Sequence, residues 1–178
     1  MPWREKIVDY SIPTFPTGVW LIANADSKLE PIKPSGNIDQ DIAAVKKLLT
    51  GHTVLTLPGS CLASNLYGLE QTGAKVELFA ADRDLAEMIP AVMARVVETT
   101  LMDVPVALIA LEKWQGEIKV VGPISPLQQM ACAFPKSSPN LRKAFNEYFH
   151  KAKADGSYKK LVEKYYPTVF GYYGDFFN

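Results

Sequence analysis

Apolar positions along the chain change their period several times, and each change predicts an element. Thr17 to Asn24 (TGVWLIAN) is a β-branched and aromatic-rich run after the proline-punctuated stretch Ile12 to Pro16, which predicts a buried strand. A Lys-, Pro- and Gly-containing loop over 25–36 follows. Asn37 then stands where a helix cap belongs, ahead of Ile38, Ile42, Val45, Leu48 and Leu49 on one stripe at helical spacing, with Gly51 as the stop.

Strand and helix signals alternate from there. Thr53 to Leu57 reads as a strand, Pro58-Gly59-Ser60 as a turn, and the stretch to about Gln71 as a helix closed by Gly73. Lys75 to Phe79 reads as a strand, Asp84 to Arg95 as a helix apolar at Leu85, Ile89, Val92 and Val96, and Glu98 to Met102 as an extended run. Such alternation predicts a parallel-rich sheet flanked by helices, because parallel neighbours need crossover connections. A helix from Pro105 to Trp114, a strand over Ile118 to Val121, a polar linker over Pro123 to Gln129 and an apolar strand over Met130 to Phe134 complete this α/β segment. The apolar runs near residues 20 and 132 bracket it and are candidate hinge crossings.

The last forty residues carry two helical stripes. Ser138 is placed as an N-cap with Pro139 at the first helical position, and Leu141, Phe145, Tyr148, Phe149 and Ala152 form a core-facing stripe. Gly156 closes that helix, Ser157 caps the next, and Tyr158, Leu161, Val162 and Tyr165 face inward until Pro167. The aromatic tail TVFGYYGDFFN either packs back on these helices or begins a joining segment. Neither an internal repeat nor a low-complexity segment interrupts the pattern.

Composition narrows the function classes. At 178 residues, 48% of them hydrophobic, the chain can hold one full α/β domain and part of a second. Lys+Arg and Asp+Glu are equal at 19 each, so the formal net charge is zero and neither nucleic acid nor an anionic membrane is an expected partner. No apolar run reaches the ~18 residues that cross a bilayer, and MPWREKIVDYS lacks the apolar core of a secretory signal. Two cysteines, Cys61 and Cys132, are too few for a disulfide framework. Free, buried thiols are the expectation for them, with a single bridge as the alternative.

Two polar residues sit where chemistry would be placed. Ser60, after Gly59 at a strand-to-helix turn, is where backbone N–H groups and a helix dipole would favour an anion; its other reading is a hydroxyl capping its own helix. Asp103 follows the extended run and precedes Pro105, at the carboxyl end of a strand, where open α/β sheets place ligands. The alternative for Asp103 is a solvated capping carboxylate. His52 and His150 have no neighbouring Ser, Cys or Asp at a nucleophile–base spacing, no His or Cys pair stands at zinc spacing, and the Pro58-Gly59-Ser60 turn lacks a phosphate-loop lysine. The expectation from these residues is no catalytic residue, no metal and no cofactor.

Three stretches, in order, carry a family resemblance. Arg4-Glu5-Lys6-Ile7-Val8-Asp9-Tyr10-Ser11, followed by Gly18 and the apolar Val19 to Ala23, resembles the Arg-x-x-x-Val-Asp-Phe-Ser segment and crossing strand of amino-acid-type periplasmic solute-binding proteins. Leu49-Thr50-Gly51-His52-Thr53-Val54 with Gly59-Ser60 resembles that family's Leu-x-Gly-Lys-x-Val strand and Gly-Thr turn. Ala133-Phe134-Pro135-Lys136-Ser137-Ser138, continuing through Leu141 and Asp155-Gly156-Ser157-Tyr158 to Lys164-Tyr165-Tyr166, resembles its closing strand and terminal helix pair.

The resemblance implies a type 2 periplasmic-binding fold: one complete Rossmann-like lobe over 19–134 with both crossing strands, and a partial lobe from 1–18 and 135–178 that carries the C-terminal helices. In the family most of the first lobe's sheet precedes the Arg motif, so the chain resembles a truncated form or a fragment of a longer protein. Arg4 matches the arginine that grips a ligand α-carboxylate, which suits a planar guanidinium able to donate two parallel bonds. Gly59 and Ser60 match the turn that also touches that carboxylate, and Asp103 the acid that receives the α-ammonium. Leu57 and Met102 stand where relatives place more polar side chains, which implies a less polar ligand, and Cys61 stands where a small residue is frequent.

The implied function is capture of an amino acid or similar zwitterion by hinge closure, for an ABC-transporter permease, in a periplasmic or extracellular compartment and without membrane insertion. Relatives of the same fold serve as sensor domains of histidine kinases, ligand-binding parts of glutamate-receptor-like channels, regulatory domains of lytic transglycosylases and, rarely, dehydratases. An α/β interaction module without a working ligand site is the remaining alternative.

Overall fold

A computed structural model describes residues 4–80 and 85–177. In chain order the strands are β1 (Val8–Tyr10), β2 (Phe15–Thr17), β3 (Val19–Asn24), β4 (Thr53–Thr56), β5 (Lys75–Leu78), β6 (Thr99–Asp103), β7 (Ile118–Pro123), β8 (Gln128–Met130) and β9 (Ala133–Pro135). The helices are α1 (Ile38–Leu48), α2 (Met88–Met93), α3 (Val104–Lys113), α4 (Pro139–Ala154), α5 (Ser157–Tyr165) and α6 (Phe170–Tyr173). The chain forms two compact units: the larger is Gly18–Leu127, and the smaller joins the segment ending at Thr17 to the one beginning at Gln128.

The larger unit is an α/β domain on a five-stranded sheet of order β5-β4-β6-β3-β7. β4 runs parallel to β5 and β6, while β3 pairs antiparallel with β6 and β7. Inner strands are apolar throughout: Leu21, Ile22, Leu101 and Met102 are fully buried, as expected where helices cover a sheet. Both α2 and α3 pack on β3 and β6, and α1 packs on β7. The β3–β7 register slips between Leu21 and Ile22, a bulge that brings Gly122 opposite Leu21.

Asn37 caps α1 as its position predicts, its Oδ1 accepting from the backbone N–H of Asp39 at 3.0 Å and of Gln40 at 3.2 Å. Asn37→Ala is expected to cost about 1 kcal/mol, read as a lower urea midpoint with an unchanged m-value.

The stretch after Ser60 departs from its expected helix. It folds as two short 3-10 turns, Ser64–Leu66 and Leu69–Thr72, separated by Gly68 at φ +62°. Its hydroxyls bond locally in place of a helical ladder: Ser64 Oγ to Glu70, and Thr72 Oγ1 to the Leu69 carbonyl at 2.7 Å. The next expected helix begins at Asp84, outside the described residues, and is observed as a 3-10 turn, Leu85–Glu87, running into α2.

α2 ends in a Schellman motif. Arg95 N–H donates to the Val92 carbonyl and Val96 N–H to the Ala91 carbonyl, with Arg95 itself at φ +58° where glycine is usual. Its exposed guanidinium pairs with Asp26 at 2.6 Å, a contact of small worth in water. Arg95→Gly is therefore expected to leave stability unchanged or raise it by up to about 1 kcal/mol, measured by thermal unfolding.

The smaller unit contains two three-residue antiparallel ladders, β1-β9 and β2-β8, with α4 and α5. Asp9 holds β1 to its neighbours through Lys136 on one side (3.0 Å) and Arg142 of α4 on the other (3.4 Å). The Lys136 hydrogen bond, more than either cation's charge, keeps the Asp9 pKa below the ordinary carboxylate value. Pro139 opens α4 as expected, but Ser138 makes no side-chain cap bond; its backbone N–H closes a turn on the Pro135 carbonyl. Phe149, Ala152 and Val162 are buried, with Phe149 and Tyr158 edge to face at 4.7 Å. Of the other positions in the two predicted core stripes, Phe145 and Tyr158 are half-buried, whereas Leu141, Tyr148, Leu161 and Tyr165 are exposed where burial was expected, no described residue of the unit covering them. The aromatic tail packs back on its own unit, with the Phe177 ring 5.7 Å from Phe15 and 4.9 Å from Phe170. Cys61 and Cys132 form no disulfide, and both are exposed where burial was expected: each lies in a surface connection, Cys132 between β8 and β9.

Candidate functional site

The carboxyl edge of the five-stranded sheet gathers most of the predicted site residues. β4 and β6 are parallel with Leu55 opposite Thr100, so three residues further along each strand Pro58 comes level with Asp103. Paired strands lie ~4.8 Å apart, which sets the Pro58-to-Cys61 turn beside the end of β6. Because β3 is antiparallel, its beginning reaches the same edge, with Val19 opposite Asp103.

Asp103 is the distinctive group. It occupies the N-cap position of α3 yet makes no side-chain cap bond, and its Oδ1 is buried without a hydrogen-bond partner. Burial raises its pKa above the ordinary carboxylate value, opposed only in part by the peptide N–H groups of Val106 and of Asp103 itself. The residue is half-buried, and it is the Oδ1 atom that is buried and unpaired; a buried carboxylate oxygen in that state costs free energy until a donor arrives.

Ser60 is placed differently from its expectation. Its hydroxyl donates to the Leu57 carbonyl at 2.8 Å and accepts from Leu62 N–H at 3.0 Å, closing a local turn. No α-helix begins there, so the helix-dipole argument for an anion at Ser60 does not hold, although the turn itself lies at the expected edge. Gly59 is exposed at φ +72°, with open space where a Cβ would stand, so glycine serves the backbone conformation there. Leu57 is half-buried and Cys61 exposed. Met102 is fully buried opposite Trp20, and its place beside Asp103 in a strand directs it to the other face. Arg4 belongs to the smaller unit, exposed in a 3-10 turn, Arg4–Lys6.

Sequence reasoning missed Ser125, in the stretch read as a polar linker. Its buried Oγ accepts from Val19 N–H at 2.8 Å and donates to the Pro126 carbonyl at 2.9 Å, fixing the start of β3 next to Asp103. A lone serine between prolines carried no signal of that role. At the opposite edge His52 is engaged structurally: Glu98 accepts from Thr53 N–H at 2.8 Å and lies 3.2 Å from His52 Nδ1. Among the described residues no group of three or more His, Cys, Asp or Glu could hold a metal ion, and no helix is long and apolar enough to cross a membrane.

The family model of bacterial extracellular solute-binding proteins, family 3, matches residues 1–168. The chain belongs to this family. As a family 3 chain it shares its fold with solved binding proteins. It superposes on a mutant of ArgBP from T. maritima with a TM-score of 0.73 at 20% identity, covering 94% of this chain and 65% of that one. An ancestral arginine-binding protein bound to arginine gives a TM-score of 0.71 at 23% identity, over 93% of this chain and 67% of that one. The GluR0 ligand-binding core from Nostoc punctiforme, in complex with L-glutamate, gives 0.67 at 22% identity, over 93% and 68%. A curated relative, membrane-bound lytic murein transglycosylase F of Desulfosudis oleivorans, is 25% identical over 167 residues, which are 93% of this chain and 34% of that protein. This family 3 chain therefore spans about two thirds of the solved relatives and a third of the curated one.

Proposed function

We propose that the chain binds a small zwitterionic solute, an amino acid or a close analogue, at the carboxyl edge of its five-stranded sheet, with Asp103 receiving the α-ammonium group. The observation that carries this is the buried, unpaired Oδ1 of Asp103: an ammonium donor supplies the missing hydrogen bond and the opposite charge together. Family membership supports it, as do solved relatives bound to arginine, glutamine and glutamate. Under this reading the Gly59-Ser60 turn and Arg4 receive the carboxylate, Ser60 by exchanging its bond to Leu57 for one to the ligand. Leu57 and Cys61 border the ligand side chain, and Met102 acts from behind as packing.

Closure of two lobes, with differential affinity for the closed form, is the proposed way for Arg4 to join the others. The proposed setting is non-catalytic delivery to an ABC-transporter permease from a periplasmic or extracellular compartment. A second reading, a ligand-sensing or regulatory domain of a larger protein, is favoured by the transglycosylase relative, of which this chain matches a third.

Thermal unfolding of the chain, and of the full gene product that contains it, against the L-amino acids tests the reading. A true ligand at about 100 times its Kd adds about 2.7 kcal/mol to stability and raises the midpoint by several degrees. A panel in which no zwitterion moves the midpoint of the full product removes the proposal. A catalytic or kinase segment in that product selects the regulatory reading over delivery.

A further inference from the structure

Val92 of α2, with Val96 and Val97 just beyond it, lines a cavity of about 480 Å³ at the amino edge of the five-stranded sheet, where β4 and β6 begin and β3 ends. Small-molecule sites occupy roughly 300–1,000 Å³, so the space is large enough for one. It lies at the edge away from Asp103, and the carboxyl-end rule for open sheets does not account for it. Val92 and Val97 are buried, whereas Val96 is 73% exposed. Other lining groups are charged. Asp26 is matched by Arg95, and Glu98 by His52 and the Thr53 N–H, which leaves Lys28 as a lining cation with no ion-pair partner among the described residues.

Arg95 is the group that the fold does not explain. It takes a left-handed conformation, φ +58°, that is costly for a residue with a Cβ, and its bond to Asp26 joins two mostly exposed side chains and is worth little in water. Backbone strain held with no gain in stability points to a role for the side chain.

We propose that this cavity binds a small organic monocarboxylate, its anionic group on Arg95 and Lys28 and its apolar body on Val92, Val96 and Val97. A planar guanidinium can donate two parallel bonds to one carboxylate, and the ligand displaces Asp26 from Arg95 at little cost because that pair faces water. With Asp26 still on the rim, Arg95, Lys28 and Asp26 sum to one positive charge, which a monocarboxylate matches and a phosphate dianion exceeds. A cation fits worse, since Asp26 and Glu98 already have donors. The valines favour a ligand with an apolar body over a purely polar anion. This inference uses no residue of the carboxyl edge and stands apart from the zwitterion reading.

The test follows the 178-residue chain by amide NMR during titration with benzoate and hexanoate, and with benzamide as the uncharged counterpart of benzoate. Both carboxylates are expected to shift the amide signals of residues 24–28, 52–53 and 95–98, with benzamide weaker by at least about tenfold. Arg95→Gly is expected to weaken benzoate by at least about tenfold while the thermal midpoint stays level or rises, and Asp26→Asn, which removes the competing acid, to tighten it severalfold. Benzamide binding as tightly as benzoate, an unchanged benzoate affinity in Arg95→Gly, or the absence of shifts at these residues each overturns the proposal. A lower midpoint for Arg95→Gly also overturns it, by assigning the arginine to the fold.

Discussion

Asp103→Asn is expected to abolish binding of an amino acid, weakening it at least 100-fold, while raising the stability of the ligand-free chain by about 1 kcal/mol at neutral pH. Both effects follow from one buried oxygen. Asp103 Oδ1 has no partner and its pKa is raised by burial, so the ionised carboxylate is a cost in the absence of ligand and, under the proposed function, the countercharge in its presence. The sign of the pH dependence follows. Because the folded-state pKa lies above the unfolded one, the native chain holds this proton more tightly, and stability is highest below the ordinary value of 3.8 and is lost as pH rises through the raised value. The stability gap between Asn variant and parent should be widest above that window and close below it. Paired urea titrations across the acidic range, with calorimetric titration of the ligand at neutral pH, read both halves. A variant that loses binding and also loses stability would mean that the carboxylate supports the fold through α3, not the ligand.

Gly122→Ala should be among the most damaging single-atom additions to the larger unit, at about 2–4 kcal/mol. Gly122 sits at the β3–β7 bulge with φ +157°, and a Cβ there would stand 2.6 Å from Val45 Cγ2 of α1 and 2.9 Å from Ile32 Cγ1. Val45 is fully buried on a capped helix, so its side chain has little room to step aside, and the Ile32 backbone is held by its N–H to the Val121 carbonyl at 2.9 Å. Urea unfolding measures the loss directly. A change below about 0.5 kcal/mol would show that α1 rests more loosely on β7 than its contacts indicate.

Much of the larger unit was legible because its signals are local. The apolar run of β3, the capped stripe of α1 and the helix after Asp103 each announce themselves within a dozen residues, and the rule that open sheets bind at strand carboxyl ends points to Asp103. What local pattern does not carry is direction and partner. The antiparallel pairings of β3 with β6 and β7 depend on where distant strands lie, and nothing in VWLIAN distinguishes them from parallel ones. The stretch 61–72 misled because its apolar residues have helical spacing while Gly68 and the Ser and Thr hydroxyls favour turns, which also removes the helix expected behind Ser60. The stripes of α4 and α5 were read correctly as apolar, yet burial needs a covering element, and sequence periodicity cannot say whether one is present.

The central proposal is that Asp103, whose Oδ1 is buried and unpaired, receives an ammonium group, and carbon-detected NMR titration of its carboxyl in the full gene product, with and without a saturating amino acid, tests it most directly. The account predicts a midpoint above the ordinary carboxylate value without ligand, moving down when the amino acid binds. An ordinary midpoint that ignores every amino acid bound by the protein would contradict it.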